Sequence, residues 1–417
     1  MLKKLILENW KSFRYAEFPI DPLTVLIGTN ASGKSNLIDA LELLKRIVFG
    51  KEIRSALAGD PAFPGIRGGV EWASLKPESH FTLKVVVEGE DDETDYLYSI
   101  TVQTKPLVQL ANESLIRQVY SPDSNQILNQ TSLFQISYPR TQDKDIHIKL
   151  LDQEQFLLIN FWKDSNSILS RLRVINYNNA DIKNIIGKVC TIIENIFIFN
   201  PIPGRMRNYS PLSDRIESDG SNIAGVLAAL PKEQKEEFDS TVSAYLKYLP
   251  ERDIQEVWAE PVGKFGTDAM LYCKEEWKPG KTTEIDARGM SDGTLHFLAI
   301  ITALITRPEG SQLVIEDVDN GLHPSRLHLL VNMLKEIGEK RNIDILVTTH
   351  NPALLDALGP EMIPFVVVAH RDSETGESTL TLLETIDNLP KLIASGSLGN
   401  LVTKGAIERN ISEPKPR

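Results

Sequence analysis

The chain has 417 residues, of which 41% are hydrophobic and 24% are charged, and its formal net charge is −12. This length allows two or three domains with a well-buried core, and the composition is ordinary for a soluble globular protein. The acidic balance excludes a protein coated all over with basic residues. A local nucleic-acid groove stays open, because a patch matters more than the total charge.

No stretch of the sequence is long enough to span a membrane. The apolar run at the N-terminus is interrupted at Glu8 and Asn9, and it lacks the length and the cleavage site of a signal peptide. The two cysteines, Cys190 and Cys273, lie far apart in apolar segments, which favours core packing over a disulfide or a reactive thiol. We therefore expect a cytoplasmic protein with no membrane partner.

The first third of the chain has the pattern of β-strands. Residues 2–9 and 23–27 are apolar runs, and residues 81–102 alternate apolar and polar side chains around an acidic stretch at 88–95. The alternation predicts an antiparallel hairpin with a solvated tip. The segments LFQISY and DIHIKLL are candidates to extend the same sheet.

Helical spacing begins near residue 165 and includes residues 181–199, where apolar side chains recur at the period of a helix. A proline-rich loop at 200–214 and two further helices follow before strands resume near residue 256. In the last third, helices alternate with the strands QLVIED, DILVTT and FVVVAH. This alternation predicts a mostly parallel sheet with helices on both faces.

A loop of small residues follows the strand at 23–27. Gly28 and Gly33, with Lys34 and Ser35, fit the phosphate-loop pattern G-x-x-x-x-G-K-[ST] between a strand and a helix. Its backbone N–H groups can surround a phosphate chain, and the helix directs its positive end at the same anion. Lys34 supplies a charge for the β- and γ-phosphates, and the Ser35 hydroxyl suits Mg²⁺. The loop predicts nucleotide binding without choosing between a kinase, a GTPase and an ATPase.

Two acids, Glu316 and Asp317, follow the apolar segment QLVI, at the end of a strand where open α/β sheets bind ligands. One carboxylate can hold Mg²⁺ through a bridging water. The other can orient an attacking water and accept its proton. His350 ends the strand DILVTT, where it is placed to donate to a γ-phosphate. Beside a phosphate loop, these residues predict chemistry on a nucleotide rather than a solvated loop and a structural histidine.

Ser291, Asp292 and Gly293 precede a helix and have the residue types of a cap with exposed N–H groups. By themselves they would be explained as a plain helix cap. The phosphate loop already holds the nucleotide of this chain, so a second anion-seeking helix start indicates a nucleotide on another copy.

These four motifs, in this order, resemble the ABC-type ATPases of the SMC and RecF group, and in particular stand-alone bacterial AAA family ATPases of the RecF-like or OLD-like branch. The resemblance covers most of the chain, including ILENWKSF, FNPIPGRMR, DGSNIAGVLAAL, MSDGTLHFLAIITAL, VIEDVDNGLHP and VTTHNPALLDAL. It implies an α/β fold: an ABC-type P-loop ATPase head with a mostly parallel sheet flanked by helices, an antiparallel β-subdomain and a helical subdomain. The implied divisions are lobe I at 1–160, the helical subdomain at 161–250 and lobe II at 251–417.

The resemblance also implies a role for each motif, with ATP and Mg²⁺ as cofactors. The residues implied for the Walker A loop are Gly28, Asn30, Gly33, Lys34 and Ser35, and Asn36 is a further predicted cofactor-binding residue. Glu316 is implied as the Walker B acid near Mg²⁺ together with Ser35, Asp317 as the catalytic base, and His350 as the switch histidine. The signature motif that reaches the partner's γ-phosphate is implied for Ser291, Asp292 and Gly293. The D-loop is implied for Asn320, Gly321 and Leu322, and further nucleotide contacts for Lys11, Ser12 and Phe13.

Three departures from the family pattern matter. That branch has two glutamates and a proline where this chain has Glu316, Asp317 and Val318. Aspartate is one methylene shorter than glutamate, and a base withdrawn by about an ångström slows the chemical step, so we expect slow hydrolysis and a long-lived ATP-bound state. Ala31 replaces the glycine that the family usually has in this loop. The Q-loop glutamine has no clear match, and Arg171 and Gln135 are the two candidates for its position.

Three functions remain open at this point. The leading hypothesis is an ATP-hydrolysing switch, formed by a homodimer or higher homo-oligomer, in which Ser291 of one copy completes the nucleotide of the other. No cluster after Ala369 resembles a nuclease centre, so we expect an effector on a separate protein, with anti-phage defence as the family analogy. One alternative is a DNA-repair ATPase that binds DNA ends or gaps through a loop cluster of Arg205, Arg207, Tyr209 and Arg215. The other is a nucleotide-gated scaffold with negligible turnover.

Overall fold

The computed structural model describes residues 1–61, 63–122, 126–137, 146–150, 156–159, 166–175, 179–246 and 254–412. The strands among these residues are β1 (Leu2–Trp10), β2 (Phe13–Pro19), β3 (Leu23–Ile27), β4 (Gly59–Asp60), β5 (Phe63–Pro64), β6 (His80–Glu88), β7 (Thr94–Gln103), β8 (Gln109–Tyr120), β9 (Ile127–Ser137), β10 (Ile146–Leu150), β11 (Phe156–Ile159), β12 (Ile196–Phe199), β13 (Ser210–Pro211), β14 (Ile254–Val262), β15 (Asp268–Lys278), β16 (Lys281–Asp286), β17 (Gln312–Ile315), β18 (Asp344–Thr349), β19 (Val366–Arg371) and β20 (Ser378–Leu382).

The α-helices among the same residues are α1 (Lys34–Val48), α2 (Ile53–Ala58), α3 (Ile168–Leu172), α4 (Ala180–Glu194), α5 (Ile223–Ala229), α6 (Lys232–Leu246), α7 (Asp292–Thr306), α8 (Leu327–Lys340), α9 (Pro352–Ala357), α10 (Leu389–Ser395), α11 (Leu398–Thr403) and α12 (Ala406–Ser412). Short 3-10 helices lie at Pro203–Arg205, Pro324–Arg326, Pro360–Phe365 and Leu383–Thr385. No described helix combines the length and the apolar character that crossing a membrane requires.

The chain divides into two compact units that interleave along the sequence. The first comprises Met1–Asp21, Gly28–Ile196 and Ala369–Leu380, and the second comprises Pro22–Ile27, Phe197–Val368 and Thr381–Arg417. The three consecutive divisions implied by the family resemblance stay a proposal.

The first unit contains an antiparallel sheet with the order β11-β10-β9-β8-β7-β6-β1-β2 among its described strands. The predicted hairpin is confirmed as β6 and β7, in which Phe81 faces Val102 across the register. Alternate side chains of β7, such as Tyr96 and Tyr98, are fully buried because successive side chains point to opposite faces of a strand. The last residue of the acidic stretch differs from the predicted solvated tip, because Asp95 is buried in β7 and accepts a hydrogen bond from Lys3 at 2.7 Å.

The segment from 181 to 199, predicted to be helical throughout, contains both a helix and a strand. Helix α4 ends at Glu194, and the run Ile196–Phe199 is strand β12. Alternating β-branched and aromatic residues fit a buried strand better than another turn of helix. Both cysteines are buried and neither forms a disulfide, and burial raises the pKa of the Cys190 thiol to about 12, so core packing of the cysteines is confirmed.

The predicted parallel sheet is confirmed. Its order is β12-β17-β18-β3-β19-β20, and the pairs β17–β18, β18–β3 and β3–β19 are parallel. Every residue of β3, β17 and β18 is buried, as expected for strands covered on both faces. Because β17 and β18 are parallel neighbours, the residues that follow them lie at the same edge of the sheet.

The second unit also contains helix α7 and a smaller antiparallel sheet. In α7 every residue from Gly293 to Ile305 is buried, so this helix runs through the interior of its unit. The smaller sheet has the order β13-β15-β14, and β16 also pairs with β15, at a different stretch of that strand from β13. The turn between β16 and α7 carries the serine-capped motif, so the sheet and the helix together fix its place.

Candidate functional site

The phosphate loop lies in the first unit, between Ile27, the last residue of β3, and the start of α1 at Lys34. Gly28 and Gly33 have φ values of +148° and +114°, a region that favours glycine. A Cβ at Gly28 would lie 2.2 Å from the carbonyl oxygen of Ala369, and one at Gly33 would lie 2.8 Å from the ring of Phe13. The loop conformation therefore requires glycine at both positions, for backbone and for space.

The polar groups of this loop suit a phosphate chain. Lys34 donates from Nζ to the carbonyl oxygens of Gly28 and Thr29 at 2.6 and 3.1 Å, so its ammonium lies over the loop. Helix α1 begins without a side-chain cap, which leaves its first N–H groups and its dipole to an anion. The Ser32 hydroxyl is buried without a hydrogen-bond partner among the described residues. Ala31 holds φ at +64°, so the alanine at the usual glycine position keeps the left-handed backbone at a small steric cost.

Three of the remaining residues implied for nucleotide contact, Lys11, Ser12 and Asn36, have definite partners. Asn36 donates from Nδ2 to the Ser12 hydroxyl at 2.7 Å, which joins the strand turn after β1 to the first turn of α1. Lys11 donates from Nζ to Asp39 at 2.5 Å and is almost fully buried. Burial lowers the pKa of Lys11, and Asp39 opposes this shift. Asn30 is exposed on the loop, so Lys11 and Ser12 support the loop while Asn30 faces outward.

A segment that the sequence did not single out packs against the same loop. Arg371 donates from Nε to the carbonyl oxygen of Ala31 at 2.8 Å. Ser378 donates its backbone N–H to the Ser12 carbonyl at 2.8 Å and its hydroxyl to the Ser12 hydroxyl at 2.7 Å. These residues are more than 300 positions from the loop, so no local pattern could have linked them to it. The segment around β19 and β20 therefore forms one wall of the phosphate loop.

The two predicted acids lie in the second unit, directly after β17. Glu316 donates its backbone N–H to the Phe199 carbonyl at 3.1 Å. Asp317 has φ +45° and donates its N–H to the Thr348 hydroxyl at 2.9 Å. Aspartate and asparagine tolerate this left-handed region better than other side chains. The bend at Asp317 thus turns the chain away from the sheet and leaves both carboxylates half-buried.

His350 follows β18, as the sequence predicted, and lies beside Asp317. The two side chains approach at 3.4 Å between Nδ1 and Oδ1, and they are 63% and 50% exposed. The parallel pairing of β17 and β18 brings them together because both strands end at the same edge. An acid beside an imidazole can orient a water and accept its proton, so the pair is suited to activating water.

The predicted cap of α7 is confirmed. Ser291 is the N-cap residue, and its hydroxyl accepts the N–H of Thr294 at 3.1 Å. Both Ser291 and Asp292 are exposed. A Cβ at Gly293 would lie 2.6 Å from the carbonyl oxygen of Gly321, so only glycine lets the start of α7 approach the loop after the acids so closely.

Arg207 holds the turn before α7. The sequence had instead placed this arginine in a candidate DNA-binding cluster. Its guanidinium donates to Asp292 Oδ1 at 2.5 Å and to the carbonyl oxygens of Ala287, Arg288 and Met290 at 2.9, 3.2 and 2.6 Å. Arg205 in the same cluster pairs with Asp219 at 2.8 Å. These two arginines are therefore engaged within the chain.

The two Q-loop candidates lie on different elements of the first unit. Arg171 is in the short helix α3, and Gln135 is in β9, opposite Ser114 of β8. Helix α3 is held by the buried carboxylate of Glu113, which accepts the N–H groups of Ile168 and Leu169 at 2.6 and 2.9 Å.

Within the part of the chain that the structure describes, no group of three or more His, Cys, Asp or Glu side chains could hold a metal ion.

The glycine-dependent phosphate loop, the acids after a parallel strand and the serine-capped helix define an ABC-type P-loop ATPase head. Residues 23–356 match the family model described as "AAA domain, putative AbiEii toxin, Type IV TA system". This match covers well over half of the chain, and the chain belongs to that family. The resemblance to the SMC group expected from the motifs is also confirmed by a curated relative.

That relative is the chromosome partition protein Smc of Rhodopirellula baltica, which is 26% identical over 238 residues. The alignment covers 52% of this chain and 19% of the relative, so the chain spans about a fifth of that protein's length. Similar solved structures include the SMC head domain from Thermotoga maritima, at 15% identity and a TM-score of 0.45, which covers 91% of this chain and 98% of the other. An SmcHead bound to the C-winged helix domain of ScpA, at 13% identity and a TM-score of 0.49, covers 91% and 97%.

Proposed function

We propose that the protein binds ATP with Mg²⁺ and hydrolyses it to ADP and phosphate as a dimeric switch. The observation that carries this proposal is the phosphate loop, where two glycines are sterically required and Lys34 lies over the loop carbonyls. Membership of an AAA-domain family supports the same activity. The loop would hold the triphosphate through its backbone N–H groups and Lys34.

The residue types proposed for the metal suit a magnesium nucleotide. The Ser35 hydroxyl and the Glu316 carboxylate are hard oxygen ligands, and Mg²⁺ in such sites takes one or two protein ligands together with substrate phosphates and waters. A cage of three carboxylates is therefore not required. When bound, Mg²⁺ would neutralise phosphate charge, while Ser35 and Glu316 would orient it.

In the chemical step, Asp317 would orient a water and accept its proton, and His350 would hydrogen-bond to the γ-phosphate. The 3.4 Å approach of the two side chains supports a shared task. Asp317 is shorter than the glutamate that the resembled family has at this position, and this shorter proton acceptor favours slow turnover.

The switch would arise from two copies of the chain. Ser291 and Asp292 are exposed at the start of α7, and a helix start binds anions. We infer that this motif completes the γ-phosphate site of a second copy, so that ATP closes the dimer and hydrolysis opens it. A separate effector, in toxin–antitoxin regulation or anti-phage defence, is the role that the family description favours.

Complementation between variants tests this proposal. Lys34→Ala removes the ammonium group that would bind the phosphates, and Ser291→Arg blocks the start of α7 that would bind the partner's nucleotide. Each variant alone should therefore lose ATP hydrolysis. Mixing the two should restore activity, because a mixed dimer contains one site with an intact loop and an intact cap. Lys45→Ala, on the same helix as Lys34, is the charge-matched control. Activity of the Lys34→Ala variant would refute nucleotide binding by the loop, and failure of the mixture to recover would refute the shared site.

The two other hypotheses predict different results. DNA repair predicts tight DNA binding that depends on ATP and weakens steeply with salt, although Arg205 and Arg207 are paired within the chain. A nucleotide-gated scaffold predicts ATP binding without phosphate release. Measuring DNA affinity at two salt concentrations and phosphate release in the same preparation separates the three.

A further inference from the structure

The loop at 316–322, which carries Asp317, is held by strand β18 on one side. The Thr348 hydroxyl accepts the N–H of Asp317 at 2.9 Å, and the Thr348 carbonyl accepts the N–H of Val318 at 3.1 Å. Thr349 donates its hydroxyl to Asp319 at 2.7 Å. These bonds join the loop to strand β18, which His350 directly follows, so the acid and the histidine share one rigid support.

The same loop is held on its other side by helix α7. His296, in the second turn of that helix, places Nε2 3.0 Å from the carbonyl oxygen of Val318. One helical turn earlier, Gly293 lies directly against the Gly321 carbonyl. The two contacts bracket the loop, and both come from the helix whose start carries Ser291.

The hydrogen bond between His296 and the Val318 carbonyl determines the tautomer of the histidine. A carbonyl oxygen only accepts, so Nε2 of His296 must carry the hydrogen. Burial lowers the pKa of His296, which is only 1% exposed, and this favours the neutral ring with Nδ1 as an acceptor. That Nδ1 has no partner among the described residues, and an unpaired buried nitrogen is unfavourable. Apolar packing alone would be served better by a leucine, so the bond to Val318 is the distinctive contribution of this side chain.

We propose that His296 is a positioning residue that ties the serine-capped helix to the carbonyl of Val318 and thereby sets the position of Asp317, one residue away. This role rests on the proposed ATP hydrolysis. When a second copy's nucleotide engages Ser291, any shift of α7 is transmitted through the His296 bond and the Gly293 contact to the loop that bears the base. Engagement of the helix start and activation of water are thus coupled within one chain.

Three variants test the coupling. His296→Leu fills the space without a donor, and His296→Gln restores an N–H close to the position of Nε2. Thr302→Val is the matched control, since Thr302 is fully buried on the same helix and donates only to Leu298 of that helix. Steady-state ATP hydrolysis gives kcat and KM, and hydrogen exchange gives the protection of amides 317–322.

We expect His296→Leu to lower kcat about tenfold with KM for ATP unchanged within about twofold. His296→Gln should recover most of kcat, and Thr302→Val should match the native protein. Amides 317–322 should exchange faster in His296→Leu than in either of the other two variants. A full kcat and native exchange in His296→Leu would overturn the proposal, as would a glutamine variant no better than leucine.

The outcomes also separate this inference from the proposed function. If the native protein hydrolyses ATP and His296→Leu keeps the native kcat, the coupling fails and the ATPase stands. If the native protein releases no phosphate, the ATPase proposal fails, and the exchange of amides 317–322 still decides whether His296 positions the loop. Unchanged exchange in that case would refute the positioning role as well.

Discussion

The side chains of Asp317 and His350 meet at 3.4 Å beyond the ends of two parallel strands. Their strands, β17 and β18, are adjacent in the sheet and fully buried, whereas the two side chains are half exposed or more. The sheet thus provides a rigid support, and the two side chains lie at its solvent-facing edge. This is the edge at which open α/β sheets bind their ligands.

Asp317→Asn should abolish hydrolysis while preserving the fold. Asparagine tolerates the left-handed backbone at φ +45° as well as aspartate does, but it cannot accept a proton. We expect phosphate release to fall by about a hundredfold or more, from a native rate well below about 10 per second. ATP-bound dimers should accumulate in light scattering. Unchanged behaviour would favour the scaffold hypothesis, and fast native turnover would refute slow hydrolysis.

Gly33→Ala should impair nucleotide binding far more than Gly50→Ala. Both glycines have positive φ, but a Cβ at Gly33 meets Phe13 and Ser378 at 2.8 Å, whereas nothing lies within 4 Å of one at Gly50. The control therefore carries only backbone strain, about 1 kcal/mol. We expect ATP affinity to fall about tenfold or more for Gly33→Ala, measured by calorimetry. Equal affinities in the two variants would contradict the crowded geometry of the loop.

Arg207→Ala should loosen the turn that presents Ser291. The guanidinium bonds to three carbonyls and to Asp292, so its loss leaves several acceptors without their donor. We expect the free energy of unfolding to fall by about 1–3 kcal/mol and ATP-dependent dimerisation to weaken. Arg205→Ala removes the same charge from an exposed pair and should cost under about 1 kcal/mol. Denaturant titration and light scattering measure the two effects, and similar results for both arginines would argue against the role of Arg207.

Glu113→Gln should destabilise the first unit through helix α3. Glu113 is fully buried and accepts hydrogen bonds from Tyr98, Ser167, Ile168 and Leu169. A glutamine keeps one acceptor oxygen and turns the other into a donor that faces an N–H. We expect a loss of about 1–3 kcal/mol in chemical denaturation. Glu17→Gln, on an exposed pair of the same sheet, is the control and should remain near native stability.

Much of the site could be predicted because its motifs are local. The phosphate loop, the acids and the helix cap each occupy a few consecutive residues beside a strand or a helix, and their residue types express the chemistry directly. The sequence also predicted Asp317 and His350 at the ends of two buried apolar strands, and the structure showed that these strands are neighbours and bring the two side chains together. The strand at Ile196–Phe199 was missed because a short apolar run fits a helix and a strand equally well.

The amino-acid sequence by itself determined which residues are candidates to hold phosphate, magnesium and water, because those capacities belong to side-chain types at fixed short spacings. Only the tertiary structure decided what supports them. Arg371 lies on the phosphate loop, Arg207 on the turn before α7, and His296 on the carbonyl of Val318. Each joins segments that are distant in the chain, and such contacts depend on how whole elements pack rather than on any local pattern.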